Sequence, residues 1–169
     1  RAIVATQYSN LGLVQALRTI GCQVIMANAG DKYVLGEMRR RGLVLGGEQS
    51  GHIIMLEKTT TGDGLITAIE VASVVAATGR PLSELASVMV KFPQIMVNVR
   101  VSRKDEYGAS AAIRAAVEEA RAELGDAGRL VVRPSGTEPV VRVMGEGPDQ
   151  AAVRKVVEGV AGVIRAELA

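Results

Sequence analysis

The first half of the chain alternates between short apolar runs and segments with helical spacing of apolar residues. The runs are typical of buried strands, and they span residues 2–6, 22–27, 43–45 and 53–56. Between the first two runs, Ser9 is predicted to cap a helix that Gly21 ends. A further helix is predicted over residues 31–41, where three terminal arginines complement the helix dipole. This order of elements predicts an open, layered α/β domain.

A third helical pattern begins near Asp63. It places an apolar stripe on one face, formed by Leu65, Ile69, Ala72, Val75 and Ala76. Asp63 has no second carboxylate at ligand spacing, so it is predicted to cap this helix rather than to bind a metal. The residues Gly79-Arg80-Pro81 break the helix, a short helix is predicted over residues 83–89, and residues 91–93 are predicted to form a linker.

The second half has the pattern of an α+β domain. Residues 94–102 alternate as a strand with one apolar face, and helices are predicted over residues 110–124 and from residue 148 onward. Two apolar runs between these helices, at 130–132 and 140–144, predict a hairpin. The simplest arrangement is a small antiparallel sheet with two helices on one face. The chain is therefore predicted to hold two domains, residues 1–90 and 94–169.

Composition narrows the class of protein. The 48% of hydrophobic residues is enough for two cores, while a net charge of +2 and 2% aromatics argue against a nucleic-acid partner. No apolar stretch approaches the ~20 residues that cross a bilayer, so no membrane partner is expected. The single cysteine, Cys22, is predicted to be a reduced thiol in the cytoplasm. A strand pattern directly after Arg1 predicts that the first domain is truncated at its N-terminus.

Residues 133–139, RPSGTEP, carry the clearest candidate chemistry. They are predicted to form a loop between two strands. Arg133 offers a planar fork of donors, Ser135 and Thr137 offer hydroxyls, and Gly136 lets the backbone turn with its N–H groups close to a ligand. This combination predicts a cradle for a phosphate group. A polar β-turn with an incidental arginine is the alternative.

Five motifs in a fixed order resemble those of the α-D-phosphohexomutases. They are SNLG at 9–12, GDKYV at 30–34, GEQSGH at 47–52, TTGDG at 60–64 and RPSGTEP at 133–139. The resemblance spans essentially the whole chain and matches the third and fourth domains of that family. It is greatest to the bacterial branch that interconverts glucosamine 6-phosphate and glucosamine 1-phosphate.

The resemblance implies an intramolecular phosphotransferase, an isomerase that works through a phosphoserine and a bisphosphate intermediate. In that family the serine and a Mg²⁺ loop lie in the first two domains, the third domain recognises sugar hydroxyls, and the fourth binds the phosphate that does not react. The serine and the Mg²⁺ site are therefore expected upstream, and this chain alone is expected to be inactive and to bind no cofactor. The expected partners are a hexosamine phosphate and the upstream domains; the oligomeric state stays open.

The resemblance also assigns roles to individual residues. The sugar-binding set is Glu48, Gln49, Ser50 and His52; the phosphate-binding set is Arg133, Ser135, Gly136, Thr137 and Arg142. Gln49 favours an amino sugar, and Glu138 is expected to orient the loop or Arg133. Asp31 and Lys32 are weaker candidates, because Lys32 stands where the family has arginine and lacks the bidentate fork. Two alternatives remain: the branch acting on glucose and mannose phosphates, and a non-catalytic phosphosugar-binding module.

Overall fold

A computed structural model describes all 169 residues as two compact units, Arg1–Lys91 and Phe92–Ala169. No helix in either unit is long and apolar enough to cross a membrane.

The first unit is a four-stranded mixed sheet with helices, which confirms the predicted α/β layering. Its sheet has the order β2-β1-β3-β4, in which β1 is parallel to β2 and β3, and β4 is antiparallel to β3. The strands are β1 (Ala2–Thr6), β2 (Gln23–Ala27), β3 (Leu45–Gly47) and β4 (Ile53–Met55). The helices are α1 (Leu11–Thr19), α2 (Asp31–Arg41), α3 (Gly64–Thr78) and α4 (Leu82–Ala86).

The core of this unit lies between α2 and the sheet. Val34 and Met38 of α2 pack against Val4 and Ile54 of the strands, and all four side chains are at most 1% exposed. Gly46 makes this packing close, because a Cβ atom there would lie 2.6 Å from the Met38 sulfur. The sheet edge that holds the candidate sugar loop is therefore fixed by a well-packed helix.

Two local predictions for this unit need correction, and the exposure of one predicted helix face is a further finding. The cap of α1 is Asn10, whose Oδ1 accepts the Gly12 N–H at 3.0 Å, while the Ser9 hydroxyl accepts the Thr6 N–H at 3.2 Å. The third strand begins at Leu45 rather than at residue 43, because the Leu43 N–H binds the Met38 carbonyl and closes the end of α2. The apolar stripe of α3 is not buried: Leu65 is 79% exposed and no residue of the helix is buried.

Replacing Gly12 with alanine is expected to destabilise the first unit by about 1–3 kcal/mol, the range for overpacking. An added Cβ would lie 1.9 Å from the carbonyl oxygen of Val90, which is backbone and cannot rotate away. Gly36 of α2 is the matched control, since a Cβ there meets no atom within 4 Å and alanine is the better helix former. Urea unfolding would measure both variants, and a Gly12→Ala protein as stable as Gly36→Ala would refute the steric argument.

The second unit confirms the predicted α+β arrangement. Its antiparallel sheet has the order β5-β7-β6, and both long helices share one core with one face of it. The strands are β5 (Gln94–Arg100), β6 (Arg129–Pro134) and β7 (Val140–Glu146), and the helices are α5 (Ala111–Leu124) and α6 (Gln150–Leu168). A 3₁₀ helix, Lys104–Glu106, follows β5, and another, Gly125–Ala127, follows α5.

Helix caps in this unit follow the sequence closely. The Ser110 hydroxyl accepts the Ile113 N–H at 3.2 Å, and the Asp149 carboxylate accepts the Ala151 N–H at 2.8 Å. Core residues alternate along the strands, with Val99, Val141 and Val143 nearly inaccessible to solvent. The other face of the sheet is therefore the one that presents the polar residues of β5, β6 and β7.

Candidate functional site

The candidate sugar loop, residues 48–52, is the tight connection between β3 and β4. The Glu48 N–H donates to the His52 carbonyl at 2.9 Å, and the Gly51 N–H donates to the Glu48 carbonyl at 3.1 Å. Gly51 has a φ of 95°, in the left-handed region that favours glycine. The loop is therefore a closed turn that presents the side chains between its ends.

The carboxylate of Glu48 joins this loop to the start of α2. Its Oε1 accepts the Gly30 N–H at 2.8 Å, and Gly30 itself has a φ of 123°. Asp31 and Lys32 follow in the first turn of the helix. The Asp31 Oδ1 accepts the Lys32 N–H at 2.7 Å, and the Lys32 ammonium lies 4.8 Å from the centre of the Tyr33 ring. One Glu48 oxygen is thus engaged, and the other has no partner in the chain.

Gln49 fixes the loop to the end of β1. Its Oε1 accepts the hydroxyl proton of Thr6 at 3.0 Å, and Thr6 is fully buried. The loop therefore lies at the carboxyl edge of the parallel strands, where ligands bind in open α/β sheets. A cleft of about 270 Å³ lies at the same edge, lined in part by Gln7, Asn28 and Tyr33. No sequence pattern pointed to Thr6, because the contact joins residues 43 positions apart.

Ser50 and His52 are both exposed, and neither side chain has a hydrogen-bond partner in the chain. The His52 ring lies against Gly62, where an added Cβ would come within 2.2 Å of the ring carbon Cδ2. Asp63 caps α3 through the Leu65 and Ile66 N–H groups, each at 2.9 Å, which confirms the predicted cap. No group of three or more His, Cys, Asp or Glu side chains is placed to hold a metal ion.

Arg133 is part of β6 and not of the following loop, which corrects the sequence interpretation. It stands directly opposite Arg142 of β7. Two like charges at paired positions repel each other. The Nη2 of Arg142 is paired with Glu138 at 2.6 Å, whereas the Arg133 guanidinium has no partner. Glu138 thus orients Arg142 and not Arg133, and the pair of arginines has an unmatched positive charge.

Ser135 is largely occupied in shaping the loop after β6. It is 5% exposed, and its hydroxyl oxygen accepts the Glu138 N–H at 3.3 Å. Its own N–H donates to the Val140 carbonyl at 2.9 Å and so closes the turn. The hydroxyl proton remains as its one donor for a ligand.

Gly136 and Thr137 form the exposed tip of this loop. Neither backbone N–H donates a hydrogen bond within the chain, and the Thr137 hydroxyl has no partner. Gly136 does not adopt a positive φ, and a Cβ there would meet nothing within 4 Å. The turn itself therefore does not depend on the conformational freedom of glycine at this position. Its missing side chain instead leaves the loop open to an approaching group.

Two further polar residues lie beside the loop after β6, and the sequence analysis did not identify them as candidates. Asn98 of β5 stands opposite Arg142 on its other side, so that Asn98, Arg142 and Arg133 form one row across the sheet. Lys104 donates from its Nζ to the Ser135 carbonyl at 2.9 Å and to the Glu138 carbonyl at 3.1 Å. The alternation in β5 put Asn98 on its polar face, but nothing in the sequence revealed the strand register. No pattern indicated Lys104.

Comparison with known proteins matches both units to one family. The family described as "Phosphoglucomutase/phosphomannomutase, alpha/beta/alpha domain III" matches residues 1–92, and its "C-terminal domain" matches residues 96–163. Phosphoglucosamine mutase of Moorella thermoacetica is 57% identical over 93% of this chain and 35% of its own length. The protein of the same name from Rubrobacter xylanophilus is 53% identical over 97% of this chain and 38% of its own length. The chain thus spans little more than a third of these curated relatives.

Solved structures resemble the chain in fold. The N-acetylphosphoglucosamine mutase of Aspergillus fumigatus superposes with a TM-score of 0.85 at 19% identity, over 98% of this chain and 38% of that one. Its complex with GlcNAc-6P and magnesium gives a TM-score of 0.83 over 99% of this chain and 39% of that one. This likeness shows the fold alone. With the family match over both units, the chain belongs to the phosphoglucomutase/phosphomannomutase family, as its third and C-terminal domains.

Proposed function

We propose that this chain is the C-terminal, sugar- and phosphate-binding part of a phosphoglucosamine mutase, which interconverts glucosamine 6-phosphate and glucosamine 1-phosphate. The observation that supports this proposal most strongly is the sequence identity of 57% and 53% to two proteins of that name. The whole reaction needs a phosphoserine and a Mg²⁺ ion. The residues of this chain do not fit a Mg²⁺ site, since no cluster of ligating side chains is present. As the resemblance to the family implies, we place both groups in other domains of the longer protein.

The second unit would bind the phosphate that does not react. The unpaired guanidinium of Arg133 supplies a forked, permanently charged donor. The free N–H groups of Gly136 and Thr137 and the Thr137 hydroxyl add neutral donors beside it. Arg142 contributes charge from the neighbouring strand, although Glu138 already engages one of its nitrogens. A dianionic phosphate would relieve the repulsion between the two arginines.

The first unit would recognise sugar hydroxyls. Glu48 has one carboxylate oxygen without a partner, and Ser50 and His52 are exposed and unpaired in the same turn. A sugar that binds in two opposite orientations needs contacts that both of its faces can satisfy. Carboxylate, hydroxyl and imidazole groups meet that need because each can accept hydrogen bonds from different hydroxyls. Asp31 and Lys32 would add polar groups at the start of α2.

Turnover by the full-length protein tests the proposal. It should convert glucosamine 6-phosphate to glucosamine 1-phosphate with a higher kcat/KM than it shows for glucose 6-phosphate or mannose 6-phosphate. The 169-residue chain alone should show no turnover. Preference for glucose or mannose phosphates would favour the other branch of the family, and a full-length protein inactive on all three sugars would favour a binding module.

Replacing Glu48 with glutamine in the full-length protein is expected to raise KM about tenfold, since hydrogen bonds to a charged group are lost. The fold should be spared, because the glutamine amide oxygen can still accept the Gly30 N–H. Glu57, exposed and just beyond β4, is the matched control for removing one carboxylate. Steady-state kinetics and melting curves would separate the outcomes. An unchanged KM, or a large fall in the melting temperature, would assign Glu48 a structural role.

A further inference from the structure

We propose that Lys104 is a positioning residue that holds the loop after β6 in the conformation that binds phosphate. The inference rests on the phosphate-binding role proposed for the second unit. It extends that role to a residue outside the loop, on the 3₁₀ helix that follows β5. Lys104 is not placed in contact with the ligand; it acts through the backbone of Ser135 and Glu138.

The contacts of Lys104 span the loop from one end to the other. Its Nζ donates to the carbonyl oxygens of Ser135 and Glu138, three residues apart, at 2.9 and 3.1 Å. Lys104 is half-buried, and the partners of its ammonium group are these two carbonyl oxygens rather than a carboxylate. Hydrogen bonds from a charged donor are about twice as strong as neutral ones. A single ammonium group thus holds both sides of the turn and adds positive charge beneath it.

The segment that carries Lys104 is itself fixed. The N–H groups of Ser102 and Arg103 donate to the Leu168 carbonyl, and the Arg103 Nη2 donates to the Glu167 carbonyl at 2.7 Å. The Tyr107 hydroxyl donates to the Val132 carbonyl in β6 at 3.4 Å. Burial raises the pKa of Tyr107, partly offset by Arg121, so the hydroxyl stays a neutral donor. Lys104 therefore reaches the loop from a base anchored to α6 and to β6.

Peptide geometry links this contact to the ligand. The Ser135 carbonyl and the Gly136 N–H belong to one planar trans peptide unit and point in opposite directions. With the carbonyl held toward Lys104, the Gly136 N–H is directed away from it, and no group of the chain accepts it. Lys104 thereby fixes the direction of one of the free N–H donors proposed for the phosphate.

Replacing Lys104 with methionine in the 169-residue chain tests the inference through two measurements. In the ligand-free protein, the ¹⁵N order parameter of Gly136 should fall. In a titration with glucosamine 6-phosphate, the affinity should fall about tenfold, the order of a lost charged hydrogen bond. Lys155→Met is the matched control, because it removes an exposed lysine of the same unit that pairs with Glu123. Lys104→Arg keeps the positive charge and can still donate to both carbonyl oxygens. The ¹⁵N order parameter of Gly136 should therefore stay high in this variant.

The outcomes are separable. An unchanged Gly136 order parameter in Lys104→Met overturns the inference, even if the affinity falls, because the lysine would then act through its charge alone. An affinity equal to that of the Lys155→Met control also overturns it. If the unmodified chain and all variants fail to bind glucosamine 6-phosphate, the proposed phosphate site fails, and the Gly136 order parameter alone decides whether Lys104 positions the loop.

Discussion

Replacing Arg133 with alanine is expected to weaken the binding of glucosamine 6-phosphate to this chain by about 1.5–3 kcal/mol, the range for hydrogen bonds to charged groups. That range corresponds to roughly 10- to 150-fold in Kd. The effect is large because the Arg133 guanidinium has no partner in the chain, so its donors are available to the ligand. The arginine opposite it, Arg142, is already paired with Glu138 and would compensate only in part.

Backbone amide shifts followed by NMR would measure this change. In the unmodified chain, saturable shifts are expected at Ser135, Gly136 and Thr137, and they should need a far higher ligand concentration in Arg133→Ala. Arg165 is the matched control, since it lies exposed near the end of α6 in the same unit. Equal affinities of Arg133→Ala and Arg165→Ala would show that Arg133 does not bind the phosphate.

Replacing Glu146 with alanine is expected to cost about 3–5 kcal/mol of the free energy of unfolding of the second unit, the range for breaking a buried ion pair. Glu146 is fully buried and forms a salt bridge with Arg129, whose side chain is 18% exposed. Its other oxygen accepts the Gln94 amide at 3.1 Å. These three residues form one row across β5, β7 and β6. Alanine would leave the Arg129 cation largely buried without its carboxylate.

Urea unfolding, followed through amide signals of the second unit, would measure this loss. Glu158→Ala is the control, because Glu158 is exposed on α6 and its ion pair at 3.6 Å should contribute no more than about 1 kcal/mol. Adding Arg129→Met to Glu146→Ala should recover part of the stability, since the buried charge is removed as well. A loss no greater than that of Glu158→Ala would refute the buried-pair argument.

Elements with strong local signals were predictable from the sequence. Helix α2 spans Asp31–Arg41 as predicted, because an acidic first turn, a basic last turn and the left-handed Gly42 all mark its ends. Asp63 was likewise identified as a cap. The end of β6 was not predictable in this way. Pro134 looks like a turn residue, yet the strand includes it because it pairs with Val141.

The candidate site shows the same division. The motifs at 47–52 and 133–139 each lie at one connection between two strands and at the strand ends beside it. The hydrogen bond from Thr6 to Gln49 and the contacts from Lys104 to residues 135 and 138 join distant parts of the chain. The pairing of Arg133 with Arg142 depends on the register of β6 against β7. A hydrophobic pattern predicts which face of the sheet a residue occupies, but it does not predict which residue stands opposite it.

By itself, the sequence determined the fold class, the order of helices and strands, and the position of the two loops that hold most of the candidate binding residues. These depend on periodicity, capping and turn residues, which act over a few positions. Only the tertiary structure decided that the α3 stripe is exposed, that Ser135 faces inward, and that Gly136 has no steric need to be glycine. It also decided which donors stay unpaired, because hydrogen bonds between distant segments consume some donors and leave others free.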